Sequence, residues 1–162
     1  MKVNLRPPRH PVDPRTVRWW TTQALVWTLP PVLVLALLAA LIAPARLWLF
    51  LALLVIAVPG LAYTLLMPRQ RYRIHRWEIT DEAVYAASGW LWHRWRVAPM
   101  SRIQTVDTLR SPLQQVFGLS GVKVTTASAA GSIKIQGLDR QLAADLVERL
   151  TARAQAVPGD AT

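Results

Sequence analysis

Residues 19–45 read WWTTQALVWTLPPVLVLALLAALIAPA and residues 47–68 read LWLFLALLVIAVPGLAYTLLMP, and neither stretch contains Asp, Glu, Lys, Arg or His. Arg46 alone separates them. Each run exceeds the roughly 20 apolar residues that cross a hydrocarbon core about 30 Å thick. A soluble helical hairpin of this composition would need a large apolar partner, which the rest of the chain does not supply. A cleaved signal sequence fits poorly, because its apolar region runs only about 7–15 residues. Ala43-Pro44-Ala45-Arg46 leaves room for a tight turn, so the two spans form an antiparallel hairpin with both ends on one side of a membrane.

Charge gives that hairpin an orientation. Lys2, Arg6, Arg9, Arg15 and Arg18 precede the first span and Arg69, Arg71, Arg73 and Arg76 follow the second, against Arg46 in the turn. The positive-inside rule then places both ends in the cytoplasm. Much of the net charge of +10 is accounted for as a topology signal, and Trp19, Trp20 and Trp48 stand at span boundaries where indole rings anchor. With Cys 0, the chain has no disulfide, no thiolate metal site and no cysteine nucleophile. Pro30-Pro31 and Pro59-Gly60 fall near the middle of their spans. Interrupted helices at matching depth can mark a transport path, so a component of a transport or export system is the alternative function. Neither span holds an ionisable group, and Gln23 is the one strongly polar side chain near them, so kinks that shape helix packing are the preferred reading.

Beyond Arg69 the pattern changes to short alternating runs divided by turn residues, which is the signature of antiparallel strands. Strands are expected over 71–80, 83–88, 92–97, 103–109, 122–126 and 133–136, with Ser88-Gly89 turning the second into the third. Ser111-Pro112 opens a short helical turn, and Gly118 suits the left-handed residue that closes it. Asp139 is the expected N-cap for a closing amphipathic helix whose core face carries Leu142, Leu146, Val147 and Leu150. The chain therefore divides into a basic cytoplasmic tail (1–18), a transmembrane helical hairpin (19–68), one folded domain (69–153) and a flexible tail (154–162). The fold class is an α+β membrane protein.

Function rests on a thinner set of residues. His10, His75 and His93 have no metal-ligand spacing, no serine sits in a nucleophile elbow, and no phosphate-binding glycine loop occurs, so no catalytic, cofactor-binding or metal residue is assigned and enzymatic activity is not expected. Most arginines hug the membrane boundary, which favours anionic lipid over nucleic acid as counter-charge. The segment Gly89-Trp90-Leu91-Trp92-His93-Arg94-Trp95-Arg96 crowds indoles among cations at a hairpin tip. Alternation would turn Leu91, Trp95 and Val97 to the core and leave Trp90, Trp92, Arg94 and Arg96 together on the other face. Indole and guanidinium together suit a headgroup boundary or a protein hot spot, so these four residues are the candidate contact for membrane or partner.

Ile79-Thr80, Val97-Ala98-Pro99, Ser101-Arg102-Ile103-Gln104-Thr105-Val106, Ser111-Pro112-Leu113-Gln114-Gln115-Val116-Phe117-Gly118-Leu119, Thr126-Ala127-Ser128 and Ile135-Gln136-Gly137-Leu138 follow one another in an order and spacing that resembles the bacterial PH-like membrane proteins of the YdbS type. The resemblance covers about residues 71–150 and extends to the preceding hairpin. It implies a PH-like fold, a curved antiparallel sheet capped by a C-terminal helix, in a multi-pass protein of the bacterial inner membrane. It supplies no catalytic residue. By analogy it implies a non-catalytic interaction module, a subunit of an envelope complex, whose partners are anionic lipid and a larger membrane protein with several copies of the same domain.

Overall fold

The structure is a computed structural model and describes residues 8–127 and 131–156. Lys2, Arg6, Ser128 and residues 157–162, which figure in the sequence reading, lie outside that range. Two compact units are present, Val17–Gln70 and the remainder.

The first unit is a pair of helices, α1 (Arg15–Leu41) and α2 (Arg46–Ile74), joined by a 3-10 turn at Ala43–Ala45. Both remain helical through their prolines, Pro30 and Pro31 in α1 and Pro59 and Pro68 in α2. Arg46 closes the turn by donating from Nε to the Ala39 carbonyl at 3.1 Å. The helices meet closely where Gly60 faces Thr28, since a Cβ on Gly60 would lie 2.4 Å from Thr28 Cγ2. The hydroxyls of Thr21, Thr28 and Thr64 each donate to the carbonyl four residues earlier, so no polar hydrogen of these side chains is left to lipid. Trp27, Leu41, Leu47, Trp48 and Val55 are about 70% exposed or more. An apolar surface this continuous is a lipid-facing surface rather than a water-facing one.

The second unit holds two antiparallel sheets. The first, in the order β1 (His10–Pro11), β2 (Arg76–Ile79), β3 (Ala83–Ser88) and β4 (Arg94–Pro99), has four strands, and the second, β5 (Ile103–Leu109), β6 (Leu119–Thr126) and β7 (Ile133–Asp139), has three. The short helix α3 (Pro112–Val116) starts from a capping box in which Ser111 and Gln114 satisfy each other's backbone N–H, and Gly118 at φ 66° ends it. The long helix α4 (Arg140–Ala156) is capped by Asp139, whose Oδ1 accepts from the Gln141 N–H at 2.8 Å. Val84, Ala98, Leu119, Val122, Val124, Ile135 and Leu138 are buried with Ala143, Leu146 and Leu150 of α4.

Several boundaries differ from the sequence reading. No strand begins at Arg71, because α2 runs on to Ile74: Arg71 and Arg73 suit the negative end of a helix dipole, and the His75 N–H donates to the Arg71 carbonyl at 2.9 Å. The third predicted strand starts at Arg94 instead of Trp92, since Gly89 takes φ 138° and a Cβ there would collide with the Trp92 carbonyl. On α4 the core stripe is Ala143, Leu146 and Leu150; Leu142 is 39% exposed and Val147 half-buried, because the small Ala143 occupies the contacting position. That helix also continues through Ala156 into the segment expected to be a flexible tail.

Residues 8–16 do not behave as a tail. His10 and Pro11 pair with Trp77 and Arg76. The Asp13 N–H and the Thr16 hydroxyl both donate to the Gly137 carbonyl, at 2.8 and 2.9 Å. Gly137 sits at φ 78° with Thr16 against its Cα, where no side chain would fit.

Leu150, fully buried on α4, and Leu142, at its exposed margin, should separate in mutation. Leu150→Ala is expected to destabilise the domain by about 2–5 kcal/mol and Leu142→Ala by less than about 1 kcal/mol, read from chemical denaturation of the full chain in detergent by near-ultraviolet circular dichroism.

Candidate functional site

The β3–β4 hairpin is in register from Ala83↔Pro99 to Ser88↔Arg94, with Ala86 opposite Arg96 and Ala87 opposite Trp95. Directly opposed residues share a face. Arg94 and Arg96 therefore lie on the face of Val84, Ala86, Ser88 and Ala98. Val84 and Ala98 are buried to 0% and 1% exposure, so this is the inner face of the sheet. Trp95 and Val97 lie on the outer face. Arg94 and Arg96 alternate with Trp95 and Val97 as the sequence pattern predicts, but the faces are reversed: the small side chains of Ala86 and Ala98, rather than the large indole, fill the inner layer.

The four residues proposed from the sequence are accordingly not one surface. Trp92, 78% exposed, and Leu91, 69% exposed, project from the tip, whereas Trp90 is half-buried. Arg96 is exposed but held: its Nη1 donates to the Ser132 carbonyl at 2.6 Å across to the β6–β7 connection. Trp95, which the sequence reading placed in the core, is 47% exposed and borders an outer cleft of about 410 Å³ with Arg73, Arg76 and His93. The signal for the inner face is the set Val84, Ala86 and Ala98, whose apolar or small side chains share one side of the hairpin by register.

A second polar cluster joins the N-terminal segment to the domain. Arg15 donates from Nε and Nη2 to Asp13 and from Nη2 to Asp139, and its Nη1 reaches the Phe117 carbonyl. The Arg15 hydrogen bond holds the Asp139 carboxyl below its ordinary range, with the Gln141 backbone N–H acting in the same direction. Asp13 is lowered by the same guanidinium, against opposing burial. His75 is buried, and burial followed by repulsion from Arg71 pushes its imidazole down to about 4. Its Nδ1 lies 2.9 Å from the Arg71 carbonyl oxygen. Among the described residues no group of three or more His, Cys, Asp or Glu is placed to hold a metal ion.

The family profile described as Bacterial PH domain matches residues 24–154, which takes in most of α1, all of α2, strands β2 to β7 and most of α4. The chain belongs to the bacterial PH domain family. It is also 32% identical over 68 residues to the UPF0699 transmembrane protein YdbS of Bacillus subtilis (strain 168), a match that covers 42% of this chain and 43% of that protein. The matched region thus spans less than half of that relative. No solved structure matches. A transmembrane relative together with two helical stretches of mean hydropathy above 2, the 27 residues of Arg15–Leu41 and the 32 of Ala43–Ile74 counted with the turn, makes this bacterial PH domain protein a membrane protein.

His75 sets a pH dependence for the bacterial PH domain. A histidine at about 4 when folded and near 6.5 when unfolded gives the unfolded chain the extra proton between those values. Stability is therefore complete above pH 6.5 and falls as the pH drops toward 4, by about 3 kcal/mol in all. Denaturation midpoints of the full chain at pH 7.5 and 4.5 should differ accordingly, and His75→Gln should flatten the difference.

Proposed function

We propose that this protein is a non-catalytic, membrane-anchored interaction module of the bacterial cytoplasmic membrane, with two membrane passes, both termini in the cytoplasm, and a PH-type domain that docks through the β3–β4 tip. The observation that carries this reading is the exposure of Leu91, Trp92 and Trp95 at the tip and along the outer face. Large apolar side chains held in water cost free energy that burial in an interface or a headgroup layer recovers, and Trp and Arg are the residues most enriched at binding hot spots. The partner that fits is a larger membrane protein with several PH-like domains, the tip also meeting anionic headgroups. The cytoplasmic placement is supported by Arg9, Arg15 and Arg18 before the first span and Arg69, Arg71, Arg73 and Arg76 after the second, against Arg46 in the turn.

Because the chain has no cysteine of its own, single cysteines report topology directly. In intact cells a membrane-impermeant maleimide should label Ala45→Cys, and Glu82→Cys only after permeabilisation; the reverse pattern would defeat the orientation. For docking, the parent chain purified from native membranes in mild detergent should carry a stoichiometric second membrane protein with PH-like domains. The Leu91→Ser, Trp92→Ala double variant should lose it while keeping its melting temperature. Retention of the partner by that variant would remove the tip from the interface.

A further inference from the structure

We propose that the groove between α4 and the β1–β2 edge of the first sheet is a second docking surface, one that takes an apolar side chain of a protein partner and a carboxylate beside it. The groove measures about 330 Å³, and α4 supplies one wall with Leu142, Leu146, Arg149 and Arg153, which stand at helical spacing and so share a stripe. Register sets the other wall. Trp77 pairs with Ala86 and therefore lies on the inner face of the sheet, and His10, its partner in β1, stacks on it with ring centroids 5.1 Å apart. Trp77 and Leu146 are buried, whereas Leu142 at the margin is 39% exposed. Covering that remaining apolar surface is free energy open to a partner. A volume at the low end of ligand sites admits one large side chain rather than a lipid tail or a whole helix, so what enters is an anchor residue whose backbone stays outside.

Charge selects the neighbour of that anchor. Two guanidinium side chains line the groove and no carboxylate does. Arg149 forms no ion pair among the described residues, although Asp145 and Glu148 belong to the same helix. Arg153 is bound to Asp81 at 2.8 Å, through side chains that are 49% and 88% exposed. An ion pair so open to water contributes little, so Arg153 can exchange Asp81 for a carboxylate brought by a partner at small cost. The two arginines are four residues apart on α4 and hence neighbours on its surface, placed to donate together to one carboxylate. A segment with an acid next to its apolar anchor is therefore complementary in shape and in charge, and a basic segment is repelled. The groove shares no residue with the β3–β4 tip, and this docking does not depend on the role proposed for the tip.

Photocrosslinking of the full chain, in the membranes of the cells that make it, tests the groove. With Leu142→p-benzoylphenylalanine, ultraviolet light should give a discrete adduct with a different protein, and mass spectrometry of the adduct should find an Asp or Glu within a few residues of the crosslinked site. Adding Arg149→Glu should lower the adduct yield by about tenfold or more, as replacement of charge-assisted hydrogen bonds by repulsion requires. If the first variant melts below the parent, Arg153→p-benzoylphenylalanine, at an exposed position on the same stripe, takes its place. Ala144→p-benzoylphenylalanine, exposed and two residues from Leu146, lies on the other side of the helix and should give no such adduct. The adduct should persist in the Leu91→Ser, Trp92→Ala background, so failure of the tip docking and failure of this one are distinguishable. The proposal is overturned if no protein adduct forms, if the adduct is a second copy of this chain, if no acid flanks the crosslinked site, or if Arg149→Glu leaves the yield unchanged.

Discussion

Along β4 the pleat assigns faces in strict alternation, and Ala98 fixes which face is inner because it is buried opposite the equally buried Val84. Once Ala98 points inward, Arg96 and Arg94 must do so as well. Arg96 stands opposite the buried Ala86 and Arg94 opposite Ser88, so the two arginines emerge on the inner face toward the tip of the hairpin, where the apolar layer gives out. The opposite face receives Val97 and Trp95 by the same rule. A cationic inner mouth and an aromatic outer rim on one hairpin are thus a single consequence of register, and a slip of one residue would exchange them.

The N-terminal segment is the second dependency. Gly137 accepts from both Asp13 and Thr16, and Asp139 both caps α4 and binds Arg15, so two residues of β7 organise the closing helix and residues 13–16. The ion pairs are partly exposed, with Arg15 at 45% and Asp139 at 38%, and contribute little by themselves. The Thr16 hydroxyl is a different matter, because it is fully buried and its bond to the Gly137 carbonyl satisfies a polar group that would otherwise be stranded. A fragment beginning at Arg71 would lack this strand and these bonds, so the folded domain is discontinuous in sequence around the membrane hairpin.

What the sequence disclosed and what it concealed follow the range of the forces involved. The two uncharged runs, the capping box at Ser111 and Gln114, and the left-handed Gly118 are local signals, and each element stands where its residues place it. The end of α2 was obscured because Arg71, Tyr72 and Arg73 suit a strand as well as a helix, and only the hydrogen bond from His75 decides. The His10–Pro11 strand is too short to carry a period and exists by pairing with residues more than sixty positions away. At the candidate site, alternation separated Arg94 and Arg96 from Trp95 and Val97, but which set faces inward depended on the second sheet, and hydrophobicity alone favoured the indole.

Charge distribution decides what kind of site the arginines form. From residue 77 to residue 153 there are nine Lys and Arg against seven Asp and Glu, so the domain is nearly balanced and the excess of the chain sits beside the spans. A polyanion such as nucleic acid is held by a broad basic face, through many phosphate contacts whose affinity falls steeply with salt. A nearly neutral domain offers no such face. Arg94 and Arg96 are instead a local exception, set on one face by the pairing of β3 with β4.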